Sequence, residues 1–597
     1  MREFTAAPAF TIADDETIVD SVFTQAENAP DRVLFSRPSG NTWVDVTAEE
    51  FARLVSAVAK GLIANGIQPG DRVVLLSATR FEWTLLDFAI WAAGAVTVPV
   101  YDSSSADQVR WILEDSGAAV AIVETPRHEK LLVGAPETLR ETFVIDEGAE
   151  ARLIADGADV ADQSLQQRLD GLRADGLASL VYTSGTTGRP KGCMLTHRNF
   201  LSEVRGILTA SIGEVARPGQ RMLTFLPLAH VLARAVSLAA FEGGMTQAHW
   251  SEFKTITGQF TRFRPHTILG VPRVFEKVRD GADQKAREGG KIKGAVFRFA
   301  ENTAIRWSEN IDSTGEFVRK PSLVLRGKHA LCDRLVYSPL RAALGGDCEF
   351  VISGGGALTP RLGHFFRGVG VAIYEGYGMT ESTAAHCVNV PGAVKVGSVG
   401  QPLGGNAVRI AADGEIELSG GVVFDGYWRS TEATTAAMSD GWLRTGDLGE
   451  LDEDGFVWIT GRKKDLLVTA GGKNVSPGPM EDRIRSHTLI SQAVVVGDGR
   501  SFITALITLD PEALSAWAAA NGKSAADLRT DPALLAEVQS AIDDANSTVS
   551  HAESIKKFTV LARDLTEESG ELTATMKVKR HVVAERFADE IEGMYQR

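Results

Sequence analysis

From about Val19 to Val123 the apolar positions alternate between two spacings. Phe51, Leu54, Val55, Val58 and Leu62 recur every three or four residues, as on one face of a helix, and Gly66 stops the pattern. Residues 71–76 (DRVVLL) then read as a strand, 82–93 as a helix, 96–100 as a strand, 108–116 as a helix and 118–123 as a strand. Repeated βα units of this kind predict a mainly parallel sheet flanked by helices, with ligands outside the carboxyl ends of the strands. Further strands are expected at 178–182, from Met222 into the Pro227 turn, at 267–269, and just before Gly354 and Tyr377. Thr196 is placed to cap a helix carrying Phe200, Leu201, Val204, Ile207 and Leu208 on one face. From Asp280 to about Asp347 the pattern turns helical and basic. It reads as a solvated insertion, with a partner or membrane-headgroup surface as the alternative.

Beyond Gly397 the texture changes to short strands and turns, a β-rich subdomain over about 397–460. A charged break, Gly461-Arg462-Lys463-Lys464-Asp465, is the expected domain boundary. Residues 464–597 have strands (493–496, 502–509) and helices (510–519, 532–546) of their own, and end in a polar turn at 570–580 expected to be exposed. The fold class is thus α/β: a large N-terminal domain (1–463) of mainly parallel βα layers with a β-rich subdomain, and a small α+β C-terminal domain (464–597).

The length, 597 residues, agrees with more than one core. A formal charge of −15 argues against a general nucleic-acid binder. The four cysteines are scattered without metal-ligand spacing, which suits a reducing compartment. The N-terminus has no apolar signal region, and the longest uncharged apolar run, 88–100, is too short to span a bilayer. A cytoplasmic protein is expected, with peripheral membrane contact left open.

Candidate chemistry gathers in loops that follow strands. The stretch Thr183-Ser184-Gly185-Thr186-Thr187-Gly188-Arg189-Pro190-Lys191 joins glycines and hydroxyls to a terminal lysine, which are the needs of a polyphosphate. It is not a Walker A loop, because Pro190 precedes the lysine and Gly192 follows it. Gly354-Gly355-Gly356-Ala357 would let a flat ring approach the backbone. Tyr377, Thr380 and Glu381 offer an aromatic ring, a hydroxyl and a carboxylate suited to a base, a phosphate and Mg2+. Asp447, in a Gly-bracketed loop, suits ribose hydroxyls or a local turn. His230 follows an apolar stretch and reads as structural or functional alike.

Taken in order, YTSGTTGRPKG, YGMTES, RTGDLG, GRKKDLLVTAGGKNVSP and LTATMKVKR resemble the adenylate-forming family of acyl-CoA synthetases, luciferases and adenylation domains. The segment VPRVFEKV and the insertion after it look most like the long-chain fatty acyl-CoA synthetase branch. The resemblance implies ATP-dependent activation of a fatty acid to acyl-CoA through acyl-AMP, with ATP, Mg2+ and CoA taking part. It implies that Thr183, Ser184, Gly185, Thr186, Thr187, Gly188 and Lys191 cradle the β- and γ-phosphates. Gly354, Gly355, Gly356, Ala357 and Tyr377 would hold adenine, Thr380 the α-phosphate, Glu381 Mg2+, and Asp447 with Arg462 the ribose. Lys464 stands at the family's interdomain hinge, Gly471 where pantetheine passes, and Lys577 at the mobile lysine of adenylation. His230 would line the acyl and pantetheine approach. Two positions depart from the pattern: Ala233 precedes Arg234 where an acidic residue is usual, and Ala574 replaces a common proline. The alternatives are a fatty-acyl-AMP ligase serving a carrier protein, whose restraining insertion is not seen after Asp465, and a lipid-uptake protein that keeps the fold.

Overall fold

The computed structural model describes residues 2–40, 42–183, 189–252, 255–318, 320–470, 473–523, 528–573 and 577–596. Ser184, Gly185, Thr186, Thr187, Gly188 and Gly471, together with Ala574, lie outside the described residues. The chain divides into two compact units. The first comprises residues 1–409, 417–444 and 451–457, and the second 410–416, 445–450 and 458–597. The division runs through the β-rich stretch, so short segments before the expected break at 463/464 group with the second unit.

Two largely parallel sheets lie in the first unit, beside strands of a third, antiparallel one that includes Glu3–Thr5 and Met438–Ser439. In one, Leu177–Thr183, Val96–Val100, Arg72–Leu76, Val120–Val123 and Glu141–Val144 run parallel in that spatial order, as the βα alternation predicts. Lys191–Thr196 turns back antiparallel to Leu177–Thr183, and Gly426–Tyr427 pairs antiparallel with it at the edge. In the other, Ala372–Tyr377, Phe350–Ser353, Thr267–Gly270, Arg221–Thr224, Thr246–His249 and Val33–Ser39 form a parallel run. The strand from Met222 ends at Thr224, because Pro227 and the turn after it direct the chain into the helix Val231–Glu242.

Helices lie where the apolar spacing puts them. Ala48–Ala64 starts at Thr47, whose hydroxyl accepts from Glu50 N, and buries Phe51, Val55, Val58 and Leu62. Thr196 caps His197–Thr209 in the same way. Phe35, Phe51, Phe88 and Phe241 join helices to sheet, with centroids 4.7 Å apart for Phe35–Phe51 and 4.8 Å for Phe88–Phe241. Burying one such ring contributes roughly 2–3 kcal/mol. The basic stretch is helical: Pro272–Glu288, Lys291–Ser308, Leu323–Cys332 and Ser338–Ala343. Cys193, Cys332, Cys348 and Cys387 are all buried free thiols, and all belong to this unit.

The second unit has its own core. Ile490–Val496 pairs antiparallel with Ile503–Leu509, which pairs parallel with Ile555–Val560; Pro477–Arg485 and Pro532–Asn546 pack over this sheet through Met480, Ile484, Leu534, Val538 and Ile542. No helix among the described residues is long and apolar enough to cross a membrane.

Candidate active site

Lys191 opens its strand directly opposite Thr183, so the two strands that flank the hydroxyl–glycine stretch pair as an antiparallel hairpin. A strand begins at the lysine, where a Walker A loop would begin a helix. The hairpin is tied to the helix Ala106–Ser116 at both edges. Trp111 Nε1 donates to Pro190 O at 2.8 Å, and Tyr182 Oη donates to Asp115 Oδ2 at 2.6 Å.

Lys191 Nζ lies 5.1 Å from the ring centroid of Tyr427, whose hydroxyl donates to Glu381 Oε1 at 2.7 Å. Burial and the Glu381 charge push the Tyr427 hydroxyl well above its ordinary range, so it stays a donor. The same two causes push the Cys193 thiol up, and it too hydrogen-bonds Glu381. Two neutral donors therefore meet one buried carboxylate, with Lys191 over the ring of the first. One or two carboxylates are what Mg2+ takes beside phosphates and water, so the chemistry of Glu381 suits that ion.

The turn carrying Glu381 is short and strained. Thr380–Ser382 is one turn of 3-10 helix, closed by Met379 N donating to Ser382 Oγ at 3.0 Å. Thr383 and Ala384 follow at φ 57° and 130°, a region that side chains other than glycine rarely adopt. Thr383 Oγ1 donates to Val422 O at 2.6 Å, and Ala385 N donates to Glu203 Oε1 at 2.9 Å. Glu203 is fully buried. Its Oε2 has no hydrogen-bond partner among the described residues, and burial pushes its carboxyl well above the carboxylate range. This buried carboxyl thus supports the strained turn through its bond from Ala385 N. Gly378 is required here, since a Cβ would collide with Ala384 O.

Gly354–Ala357 and Tyr377 leave neighbouring parallel strands at the same sheet edge, where Ser353 pairs with Glu375. Gly355 has φ 76°, and Leu358 N donates to Glu375 Oε1 at 2.9 Å, which fixes the loop. A Cβ on Gly354 would stand 3.1 Å from Leu232, so this loop meets the helix that His230 begins. His230 caps that helix, its Nδ1 accepting from Leu232 N at 3.2 Å, which puts the ring proton on Nε2. The acid missing before Arg234 is supplied from elsewhere. Arg234 Nη2 and Nε donate to Asp87 at 2.6 and 2.8 Å and Nη1 to Ser179 Oγ at 2.7 Å, all deeply buried. Burial pushes the Asp87 carboxyl up, and the two-toothed guanidinium contact opposes that shift.

The second unit holds the remaining candidates. Arg462 Nε pairs with buried Asp447 at 2.8 Å. Lys464 is exposed, between two anchored neighbours: Lys463 binds Asp413 and Glu415 at 2.6 and 2.7 Å, and Asp465 lies 3.6 Å from Arg580. Lys577 sits exposed next to the Leu572–Val578 bridge, its N donating to Thr573 Oγ1 at 3.0 Å. The expectation that 570–580 is exposed throughout fails at Glu571. Its carboxylate is buried against Arg563 and Arg586, and the Arg563 contact holds it down at about 2.

Thr183, Lys191 and Glu381 are therefore gathered in the first unit, with Thr380 beside Glu381 on its turn, and the glycine loop, Tyr377 and the His230 helix on the adjoining sheet. Asp447, Arg462, Lys464 and Lys577 belong to the second. Tyr427, Glu203, Asp87 and Glu571 carried no signal in the sequence.

Against known proteins, residues 22–428 match the family model described as AMP-binding enzyme, and 464–597 the AMP-binding enzyme C-terminal domain. The chain is 51% identical over 607 residues, covering 100% of both sequences, to the long-chain-fatty-acid–CoA ligase FadD15 of Mycobacterium tuberculosis. Among solved structures it resembles the adenylation domain of a carboxylate reductase from Mycobacterium chelonae, with TM-score 0.75, 20% identity, and 97% and 91% of the two chains covered. It also resembles O-succinylbenzoate CoA synthetase of Bacillus subtilis in complex with ATP and magnesium, with TM-score 0.67, 22% identity, and 94% and 98% covered.

Proposed function

We infer that this chain, which belongs to the AMP-binding enzyme family, activates a long-chain fatty acid to its CoA thioester with ATP, through an acyl-AMP intermediate, releasing AMP and pyrophosphate. The end-to-end similarity to a long-chain-fatty-acid–CoA ligase carries the reading.

In the first step the fatty carboxylate attacks the α-phosphorus and pyrophosphate leaves. The carboxylate is already a nucleophile, so no base is needed; the obstacle is one anion approaching another. The 183–191 hairpin with Lys191 would hold the β- and γ-phosphates, Thr380 the α-phosphate, and Lys577 would stabilise charge as it develops. Glu381 would hold Mg2+, which when bound neutralises phosphate charge. The Gly354–Ala357 loop and Tyr377 would take adenine, and Asp447 with Arg462 the ribose. In the second step the CoA thiol attacks the acyl carbonyl and AMP leaves, with pantetheine entering past Gly471 and His230.

Lys577 would serve the first step and Gly471 the second, so residues 464–597 act as a mobile domain turning about Lys464. The anchored residues on either side of Lys464 suit a one-residue hinge. The test is pyrophosphate release against carboxylic acids from acetate to long-chain acids, with and without CoA. Release that grows with chain length and turns over only with CoA is expected. Stalling at acyl-AMP in the presence of CoA would overturn the ligase reading.

A further inference from the structure

The helical insertion of the first unit carries a surface that neither half-reaction uses. Most of the large apolar side chains exposed among the described residues fall between positions 292 and 335. Leu323–Cys332 and the turn Asp333–Tyr337 that continues it have two unlike faces. The inner one packs: His329 stacks on Trp307 with centroids 4.0 Å apart, Cys332 is buried, and Tyr337 Oη donates to Ala300 O at 2.7 Å. The outer one presents Leu323, Val324, Leu331 and Leu335, which are 83%, 67%, 57% and 55% exposed.

Arg326, Lys328 and Arg334 stand exposed among these four. The segment's one acid, Asp333, is paired with Arg341 at 2.8 Å. Lys328 Nζ lies 5.6 Å from the ring centroid of Phe299, which carries the surface onto Lys291–Ser308. That helix adds exposed Ile292 beside Lys291 and Lys293, while its one acid, Glu301, is buried under Arg279 and Arg361. In a chain of formal charge −15, apolar side chains interleaved with cations, with both acids of the two segments held in ion pairs, mark a distinct surface.

We propose that this face docks the enzyme on an anionic lipid bilayer, the leucines and valine entering the headgroup–acyl boundary and the cations meeting lipid phosphates. Charge complementarity selects the occupant. Apolar groups set among cations match a surface that is hydrocarbon just beneath a layer of phosphate. A second copy of the chain would set cation against cation. The choice of lipid draws on the fatty-acid reading only in that docking would bring the enzyme to its substrate.

The full-length enzyme is mixed with vesicles of phosphatidylcholine alone or with added phosphatidylglycerol, and bound protein is separated by flotation. Binding to the anionic vesicles is expected, weakening as salt is raised. It should fall at least about tenfold both in a Leu323→Asp/Leu331→Asp variant and in an Arg326→Glu/Lys328→Glu variant. Failure of the wild-type enzyme to float with anionic vesicles, or undiminished binding by both variants, overturns the proposal. So does a dimer in sedimentation velocity that the same substitutions dissociate while the wild type leaves vesicles unbound. Pyrophosphate release from a detergent-solubilised long-chain fatty acid is measured in parallel, without vesicles. Its absence in the wild type would strike the ligase reading and leave the flotation result standing.

Discussion

Glu381 stands on a short turn and Lys577 beside a single β-bridge, and the two are secured in different ways. Around Glu381 the partners are distant in sequence and buried or half-buried: Tyr427, the Cys193 thiol, and Glu203 on the strained Thr383–Ala385 backbone. Around Lys577 the backbone is held by groups close in sequence, Thr573 and the Leu572–Val578 bridge, with Glu571 and Leu572 buried at its base. Buried polar networks fix one geometry because each unpaired member costs so much. A segment held by its own backbone can travel with its module at no such cost. The difference matches the work proposed for each: Glu381 keeps one position through both half-reactions, and Lys577 is needed in one.

The comparison is tested most severely at Asp87. Asp87→Ala leaves the Arg234 guanidinium buried and unpaired and should destabilise the first unit by about 3–5 kcal/mol in urea unfolding; a loss below about 1 kcal/mol would remove that pair from the buried lattice. Next is Lys577→Ala. It should slow acyl-AMP formation about 100-fold while sparing thioester formation from supplied acyl-AMP and leaving the urea midpoint unchanged. Equal loss in both half-reactions would break the contrast.

Glu203 separates packing from charge. Glu203→Ala should cost about 1–3 kcal/mol and raise KM for ATP by loosening the turn, whereas Glu203→Gln should restore both. Because the folded carboxyl sits well above its ordinary value of 4.5, its contribution to stability is in place below that pH and is lost as pH rises. The Gln variant should therefore gain on the wild type in melting temperature between about pH 5 and pH 8; parallel curves would mean that Glu203 is ionised. The smallest effect is expected of Tyr427→Phe, about tenfold in kcat/KM for ATP at limiting Mg2+, from loss of one hydrogen bond to Glu381. An unchanged Mg2+ dependence would make Tyr427 a packing residue.

What could be read from the chain was what neighbours along it decide. Apolar spacing located the helices that begin at Ala48 and His197, and the Pro190–Lys191–Gly192 order excluded a Walker A helix, where the structure has the strand that opens at Lys191. Thr196 announced its cap. The partners of the site were hidden because they are far apart in sequence: Tyr427 answers Glu381 from 46 positions away, and Ala385 lies 182 from Glu203. An aspartate in the middle of the apolar 82–93 helix gives no local sign that it completes Arg234, 147 residues on. Glu571 misled for the same reason, since a polar run looks exposed until its arginines are found.

The four buried thiols have a consequence for measurement. Each is shielded, and burial drives those of Cys193, Cys348 and Cys387 upward, so a thiol-alkylating reagent can reach them only through openings of the native structure. None lies in the second unit. Alkylation of the unmodified enzyme followed by mass spectrometry would thus time the openings of the first unit alone. Cys193 would report on the Leu177–Thr196 hairpin, and Cys332 on the ground beneath the outward-facing helix.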